Sequence, residues 1–343
     1  MNSVILTSQS DYRSQWQSFV LNHPHGEVFH LPEMVDVYEK TPLYEPFACA
    51  IIDDNGALLG VLVACIQREF KGILGTFTAR SVLMGCPLVQ DNDATVGAQL
   101  LATYEQYVSK RVIYSQVRNL YDMTWLRTAF DQLNYRYEEH LDILHDLTQS
   151  EEFIRHGISK NKRANISKSL NKGVTFEEVT DYESFDVSVK QIFDTYKRIG
   201  LPAPSRHFFD NAFLQLAPAG FLKLFVAKLD GHIIGSRMEL STGKHLYDWY
   251  AGADDDYKNR YPNDFIPYHM LFWAKNAAYE LFDFGGTNKP NRPYGVRDHK
   301  LKFGGTLVNY GRYEKVHKPL LMIVGRVGFT FYKWVKKAFS VVR

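Results

Sequence analysis

The chain has 343 residues, 45% hydrophobic and 14% aromatic, with a formal net charge of +2. That is ample for real cores and long for a single one, so two domains are expected. The near-neutral balance gives no chain-wide field for a polyanion and so argues against a dedicated nucleic-acid-binding protein.

The first residues, MNSVILTSQSDYRSQW, lack a basic stretch followed by an apolar run, so no secretory leader is expected. His23, His25 and His30 are separated by Pro24 and Gly26 and read as a loop rather than a metal site. Ala48–Val63 reads as two strands around an Asn55-Gly56 turn. A helical stretch, Val96–Ser109, then leads into a strand, Val112–Val117, and Trp125, Tyr135 and Tyr137 read as core. Cys49, Cys65 and Cys86 are far apart with no CxxC pair, which favours reduced thiols in a cytoplasmic protein and offers no partnered nucleophile. Arg136–Leu144 reads as the strand that closes this first copy, and a boundary is expected near Asp146–Glu152.

Phe153–Phe176 follows, with Arg155, Lys160, Lys162, Arg163, Lys168 and Lys172 and no acid. Ile158, Ile166 and Leu170 lie at helical spacings, so an amphipathic helix with one basic face is expected. That face is either solvated or meets an anion such as phosphate, pyrophosphate or an RNA backbone. Helices Asp181–Ile199 and Ser205–Leu216 come next. Leu224–Glu239, with its Asp230-Gly231 turn, then echoes the first hairpin, and Phe265–Glu280 into Leu281–Phe284 echoes the helix and strand after it. Strand, hairpin, helix and strand thus occur twice, which suggests two copies of one α/β unit.

His245–Gly252 is an aromatic strand suited to walling a pocket, with Tyr250 as a candidate binding residue. Asp264 is expected to cap the next helix, with Pro267 in its first turn. Ile266, Met270 and Trp273 mark that helix's buried face and leave Tyr268, His269 and Lys275 for a site. Phe282-Asp-Phe-Gly-Gly286 is a strand carrying one carboxylate and ending at a glycine pair. A loop with Asn288, Arg292, Tyr294 and Arg297 runs from it to His299-Lys300-Leu-Lys-Phe-Gly-Gly305. Asp283 and Lys300 either form a proton-handling acid and a cation for developing negative charge, or are a turn-capping Asp and a solvated Lys. The last stretch, Lys315–Arg343, carries seven basic residues and no acid between apolar ones. It suits either a surface of anionic lipid or packing on the second domain, and it is too short and too charged to span a bilayer.

Together these residues resemble the FemAB-like aminoacyl/acyl transferases of the GNAT superfamily. The resemblance rests on the order of several elements. They are the basic helix ending in Gly173-Val174, the Gly231 and Gly235 hairpin, Tyr247–Gly252, the Asp264 helix, FDFGG, and HKLKFGG in place of a Phe-Lys-x-x-Phe-Gly pattern. It implies a mixed α/β (α+β) fold of two tandem GNAT-like domains, each a largely antiparallel sheet flanked by helices. The expected divisions are 1–148, 149–315 and a basic amphipathic tail over 316–343. The implied activity is N-acyl transfer to an amine of a bacterial cell-envelope precursor, either a peptidoglycan peptide or a polysaccharide amino sugar. A non-catalytic scaffold in envelope assembly is the alternative.

Lys300 aligns with the motif lysine and would stabilise the oxyanion, with Asp283 as the second catalytic candidate. Lys160, Arg163, Tyr250, Asp264, His269, Asn288, Arg292, Tyr294 and Arg297 are the candidate substrate contacts, and no metal or tightly bound cofactor is implied. The donor is a co-substrate, aminoacyl-tRNA or acyl-CoA. Lys258–Asp264 contains no glycine where GNAT enzymes hold the CoA pyrophosphate, which weakens acyl-CoA. The expected partners are a small-molecule or lipid-linked precursor, tRNA as donor, and an anionic membrane surface met through residues 315–343. The expected location is cytoplasmic, peripheral at the inner face of the membrane.

Overall fold

A computed structural model of the chain describes residues 1–85 and 87–323. Cys86 and most of the expected tail, residues 324–343, lie outside the described residues. The chain divides into two compact units, one comprising Met1–Glu138 and the returning segment from Gly311, the other Glu139–Tyr310.

The strands of the first part of the chain are β1 (Asn2–Leu6), β2 (Tyr44–Ile52), β3 (Leu58–Gln67), β4 (Arg80–Met84), β5 (Leu88–Val89), β6 (Tyr114–Arg118) and β7 (Arg136–Glu138). Those that follow are β8 (Leu141–Asp146), β9 (Thr175–Glu178), β10 (Leu222–Leu229), β11 (His232–Ser241), β12 (His245–Ala253), β13 (Leu281–Asp283), β14 (Thr306–Asn309) and β15 (Arg312–Val316). One sheet runs β1-β2-β3-β4-β6-β15-β7, with β5 on β3; the other, from its matching edge, runs β9-β10-β11-β12-β13-β8-β14. Each has one parallel pair among the described residues, β4 with β6 and β12 with β13. A helix, Ala94–Val108 or Pro262–Asn276, lies in each crossover. The two mixed sheets therefore carry one topology twice, as the repeated order of elements predicts.

The hairpin turns form for local reasons. Asp53 Oδ1 accepts from the N–H groups of Asn55 and Ala57, both at 2.8 Å, and Gly56 takes φ +83°. In the second copy Asp230 and Gly231 both have positive φ, the geometry of a two-residue turn between twisted strands.

Connectivity differs from expectation at one point. Arg136–Leu144 does not form one closing strand: β7 stays in the first sheet, while β8 pairs with β13 and β14 in the second. The matching place in the first sheet goes to β15, between β6 and β7. Packing explains the assignment. Tyr313 of β15 is 2% exposed and stacks on Phe130 at 3.9 Å, whereas Ile143 of β8 joins the second core with Phe282 and Phe284. The expected limits at 148 and 315 therefore fall beyond β8 and inside β15. Lys315 and Val316 accordingly belong to a strand, not to a tail helix.

The basic stretch also differs. It forms two helices, Glu151–Gly157 and Lys160–Asn171, because Ser159 is an N-cap whose Oγ accepts from Lys162 N. No helix among the described residues is long and apolar enough to cross a membrane.

His30 is not part of an open loop but is fully buried. Its Nδ1 accepts from Glu27 N at 3.0 Å and its Nε2 lies 2.9 Å from the Gly85 carbonyl. Among the described residues no cluster of His, Cys, Asp and Glu could hold a metal. Burial pulls His30, His145 and His269 down to about 4, and burial with the charge of Lys162 does the same to His299. A histidine whose folded pKa is depressed is neutral in the fold, so its contribution is complete above the unfolded value of about 6.5 and is lost as pH falls towards 4. For His30 alone this amounts to about 3 kcal/mol. The urea midpoint is expected to fall steeply between pH 6.5 and 4; a flat profile there would mean that these rings accept protons freely.

Candidate active site

β12 and β13 run parallel only as far as Tyr247 opposite Asp283. Beyond that the chain turns away at Gly285, φ +77°, so the two strands part and leave a wedge starting at Asp248. Asp283 sets this turn: buried, it accepts the Gly285 N–H at 2.7 Å through Oδ1. Replacing Asp283 with Asn keeps an oxygen for that bond, so Asp283→Asn is expected to retain most activity with an unchanged pH–rate profile. Loss of the acid-side limb of that profile would instead assign the carboxylate to proton transfer as a general base.

Lys300 lies on the short helix Gly295–Leu301 and reaches back to the wedge. Its ammonium donates to the Phe284 carbonyl, lies 3.5 Å from the Gly285 carbonyl, and is 3.8 Å from Asp248 Oδ2. The positive φ of Gly285 is what requires the first glycine of the FDFGG pair, since a Cβ there would sit at ordinary contact distance, 3.6 Å, from Lys300 Nζ. The second pair serves close packing. A Cβ on Gly304 would meet the Gly157 backbone at 3.2 Å, and one on Gly305 would meet His145 Nε2 at 2.9 Å.

Beneath Lys300 lie charges that the sequence reading did not single out. Arg237 donates to Asp248 Oδ1 at 2.6 Å, with both side chains over nine-tenths buried. Arg237 and Lys300 both sit over the Phe284 ring, at 5.4 and 5.1 Å from its centroid. Glu239, cross-strand from Asp248, is fully buried, and neither of its oxygens has a partner within ordinary hydrogen-bond geometry. Burial, and then the Asp248 carboxylate, raise its pKa well above the usual range, which favours the neutral acid at Glu239. The available signal was the two-residue spacing of Arg237 and Glu239, the two charged residues of a largely buried strand, which places both on one face.

A second network braces the Lys300 helix. Lys162 donates to Asp264 Oδ1, Asn165 donates to Asp264 Oδ2 at 2.8 Å, and Lys162 Nζ lies 3.0 Å from His299 Nδ1. Asp264 is not the N-cap expected. Pro262 opens the helix after Tyr261, which adopts a left-handed conformation, so Asp264 falls at the third position and Pro267 in the second turn. Pro267 has no N–H to offer the Asn263 carbonyl four residues back, and His299 hydrogen-bonds to that carbonyl instead.

The other candidate residues are distributed more widely. Tyr250 packs with Tyr196 and Phe209 along β12, and Tyr196 is held above its ordinary pKa by burial and by Asp248 and Tyr294. Tyr294 precedes the Lys300 helix; Arg297 ties its loop by donating to the Lys289 and Arg292 carbonyls, with the Arg292 side chain exposed. Asn288, φ +70°, accepts the Leu141 N–H through its carbonyl. Arg163 donates to the Arg155 and Ile158 carbonyls and so closes the preceding helix, and Lys160 is exposed. His269 lies among Phe176, Phe265 and Tyr268.

Residues 159–300 match the acetyltransferase (GNAT) domain family. The chain is 27% identical over 104 residues to the Lipid II:glycine glycyltransferase of Staphylococcus haemolyticus (strain JCSC1435), a match covering 29% of this chain and 25% of that protein. The chain thus spans about a quarter of the length of the curated relatives it matches. The crystal structure of FemX is similar over 95% of this chain and 100% of that one, with a TM-score of 0.74 and 14% identity. A tandem GNAT protein from the clavulanic acid biosynthesis pathway is similar over 92% and 98%, with a TM-score of 0.57 and 11% identity. These two likenesses are likenesses of fold.

Proposed function

We propose that the chain is a FemAB-like member of the GNAT superfamily and an N-acyltransferase, a reading supported by the GNAT domain match and the glycyltransferase relatives. It moves an aminoacyl group onto an amine of a peptidoglycan precursor, in lipid-linked form as with the relatives' namesake substrate. The observation that carries this reading is the Lys300 ammonium at the wedge between β12 and β13, anchored by backbone carbonyls and Asp248. The acceptor's neutral amine attacks the donor ester carbon, forming the C–N bond and an oxyanion. Lys300 donates to that oxyanion, a contact that strengthens as charge develops. Collapse breaks the ester C–O bond, and the proton lost from nitrogen ends on the leaving ribose oxygen.

The turn before the helix Pro262–Asn276 supports aminoacyl-tRNA over acyl-CoA as donor. The N–H groups of Asp264 and Phe265 are both taken by the Tyr261 carbonyl at 2.9 Å, and Pro262 has none. The adjoining cavity of about 130 Å³ has a mixed lining, Asp254, Asp255 and Asp264 with Arg198 and Lys258, and Arg198 is already paired with Asp255, so it offers no dedicated cationic cradle for a pyrophosphate. The test supplies purified chain with lipid-linked peptide precursor and labelled donors in parallel: a pool of aminoacyl-tRNAs, and acyl-CoAs. Label is expected in the precursor from aminoacyl-tRNA. Equal or faster transfer from acyl-CoA would overturn the donor assignment, and no transfer from any donor would overturn the transferase reading.

A further inference from the structure

Between β3 and β4, Phe70-Lys-Gly-Ile-Leu-Gly-Thr-Phe77 turns its apolar side chains outwards. Phe70 is 54% exposed, Ile73 81%, Leu74 65% and Phe77 39%. Single exposed apolar residues are ordinary, but four within eight residues form a patch that asks for a partner. The local backbone holds them out. The short helix Gly72–Thr76 folds tightly on the segment before it, so that a Cβ on Gly75 would come within 2.3 Å of the Phe70 carbonyl.

The sheet puts a second apolar segment at the same end. Arg80 is opposite Tyr114, and Tyr114 is opposite Val316. Backbone bonds extend that line past the strands, Ile113 N to Ala79 O and His317 N to Ile113 O, both at 2.8 Å. The start of β4 and the end of β15 thus lie at the same end of the sheet, on either side of β6, and the chain leaves β15 with Leu320 79% and Ile323 59% exposed. The sequence beyond Ile323 carries Arg326, Lys333, Lys336, Lys337 and Arg343, no acid, and apolar residues such as Phe331 and Trp334.

Charge decides between possible occupants. Lys71, Lys110, Arg111 and Lys318 lie at this end, with Lys318 Nζ on the Lys110 carbonyl at 2.7 Å. The acids nearby are Glu69, Glu45 and Glu105; Glu45 is already paired with Arg68 and Arg111, and Glu105 with Lys315. A second copy would bring two positive rims together, whereas an anionic bilayer complements one.

We propose that this end of the first unit's sheet docks on an anionic lipid surface. Ile73, Leu74 and Phe70 enter the headgroup–acyl boundary while Lys71, Lys110 and Lys318 meet lipid phosphates. The inference stands independently of the transferase reading, because it concerns bare lipid and needs neither donor nor acceptor.

The full chain is to be floated with vesicles of phosphatidylglycerol and phosphatidylcholine in equal parts, with pure phosphatidylcholine as control, alongside the double variant Ile73→Ser, Leu74→Ser. The wild-type chain is expected to float with the anionic vesicles and less so as salt rises. The variant is expected to keep its thermal midpoint, since both side chains are exposed, and to lose about tenfold or more in partitioning. Equal flotation of the two proteins would overturn the proposal. So would a wild-type dimer that the variant abolishes, with no vesicle binding by either, since the patch would then belong to a second copy of the chain.

Discussion

Lys300→Ala is expected to fold normally and to lose about two to three orders of magnitude in turnover, the scale of removing one oxyanion contact. The fold tolerates it because the Lys300 side chain is 13% exposed at the wedge and its hydrogen-bond partners are carbonyls that water can take over. The loss should fall on kcat and kcat/KM together, with KM little changed, since the contact strengthens only as the carbonyl oxygen becomes negative. Lys300→Arg is expected to rescue poorly. A planar guanidinium cannot occupy the point between the Phe284 and Gly285 carbonyls and Asp248 that the ammonium fills. Single-turnover transfer with saturating donor, read beside the thermal midpoint, checks this. Turnover near the wild-type rate in Lys300→Ala would remove Lys300 from the mechanism.

The largest stability effect is expected at Asp264. Its carboxylate is paired with a Lys162 ammonium that is 8% exposed and that also contacts His299 and sits over the Phe303 ring. Burial lowers the Lys162 pKa, and Asp264 is the group that opposes this. Asp264→Ala leaves a buried cation without its partner, which typically costs about 3–5 kcal/mol. The deficit should depend on pH in a definite direction. With Asp264 gone, the folded Lys162 pKa falls further below its unfolded value of about 10.4, so stability returns as pH rises towards that value and the ammonium is neutral in both states. Asp264→Leu with Lys162→Met removes both charges and is expected to lose far less than the single variant. Urea unfolding near neutral and at alkaline pH reads both effects. A single-variant loss below about 1 kcal/mol, or one independent of pH, would mean that water already solvates this pair.

Much of the fold could be read along the chain, because its signals are local. Alternating apolar runs, the Asn55-Gly56 and Asp230-Gly231 turns, and the helix between paired strands each depend on near neighbours. The duplication followed from repeating those signals. Lys300 and the two glycine pairs could be found the same way, since glycine marks close backbone approach without regard to what approaches.

What the sequence did not carry was the pairing of distant elements. β8 and β15 have ordinary strand patterns, and nothing within either says which sheet it completes; buried partners such as Phe130 for Tyr313 decide that. Asp283 and Asp248 are both single acids in aromatic strands, and only the parting of β12 from β13 puts Asp248 beside Lys300 while Asp283 caps a turn. Lys162 was one cation in a basic run until the fold buried it against Asp264, which lies 102 positions away. Local propensity and spacing determined the elements, the repeat and the motif lysine. The charges around that lysine were decided by the tertiary structure, because their energies depend on burial and on partners remote in sequence.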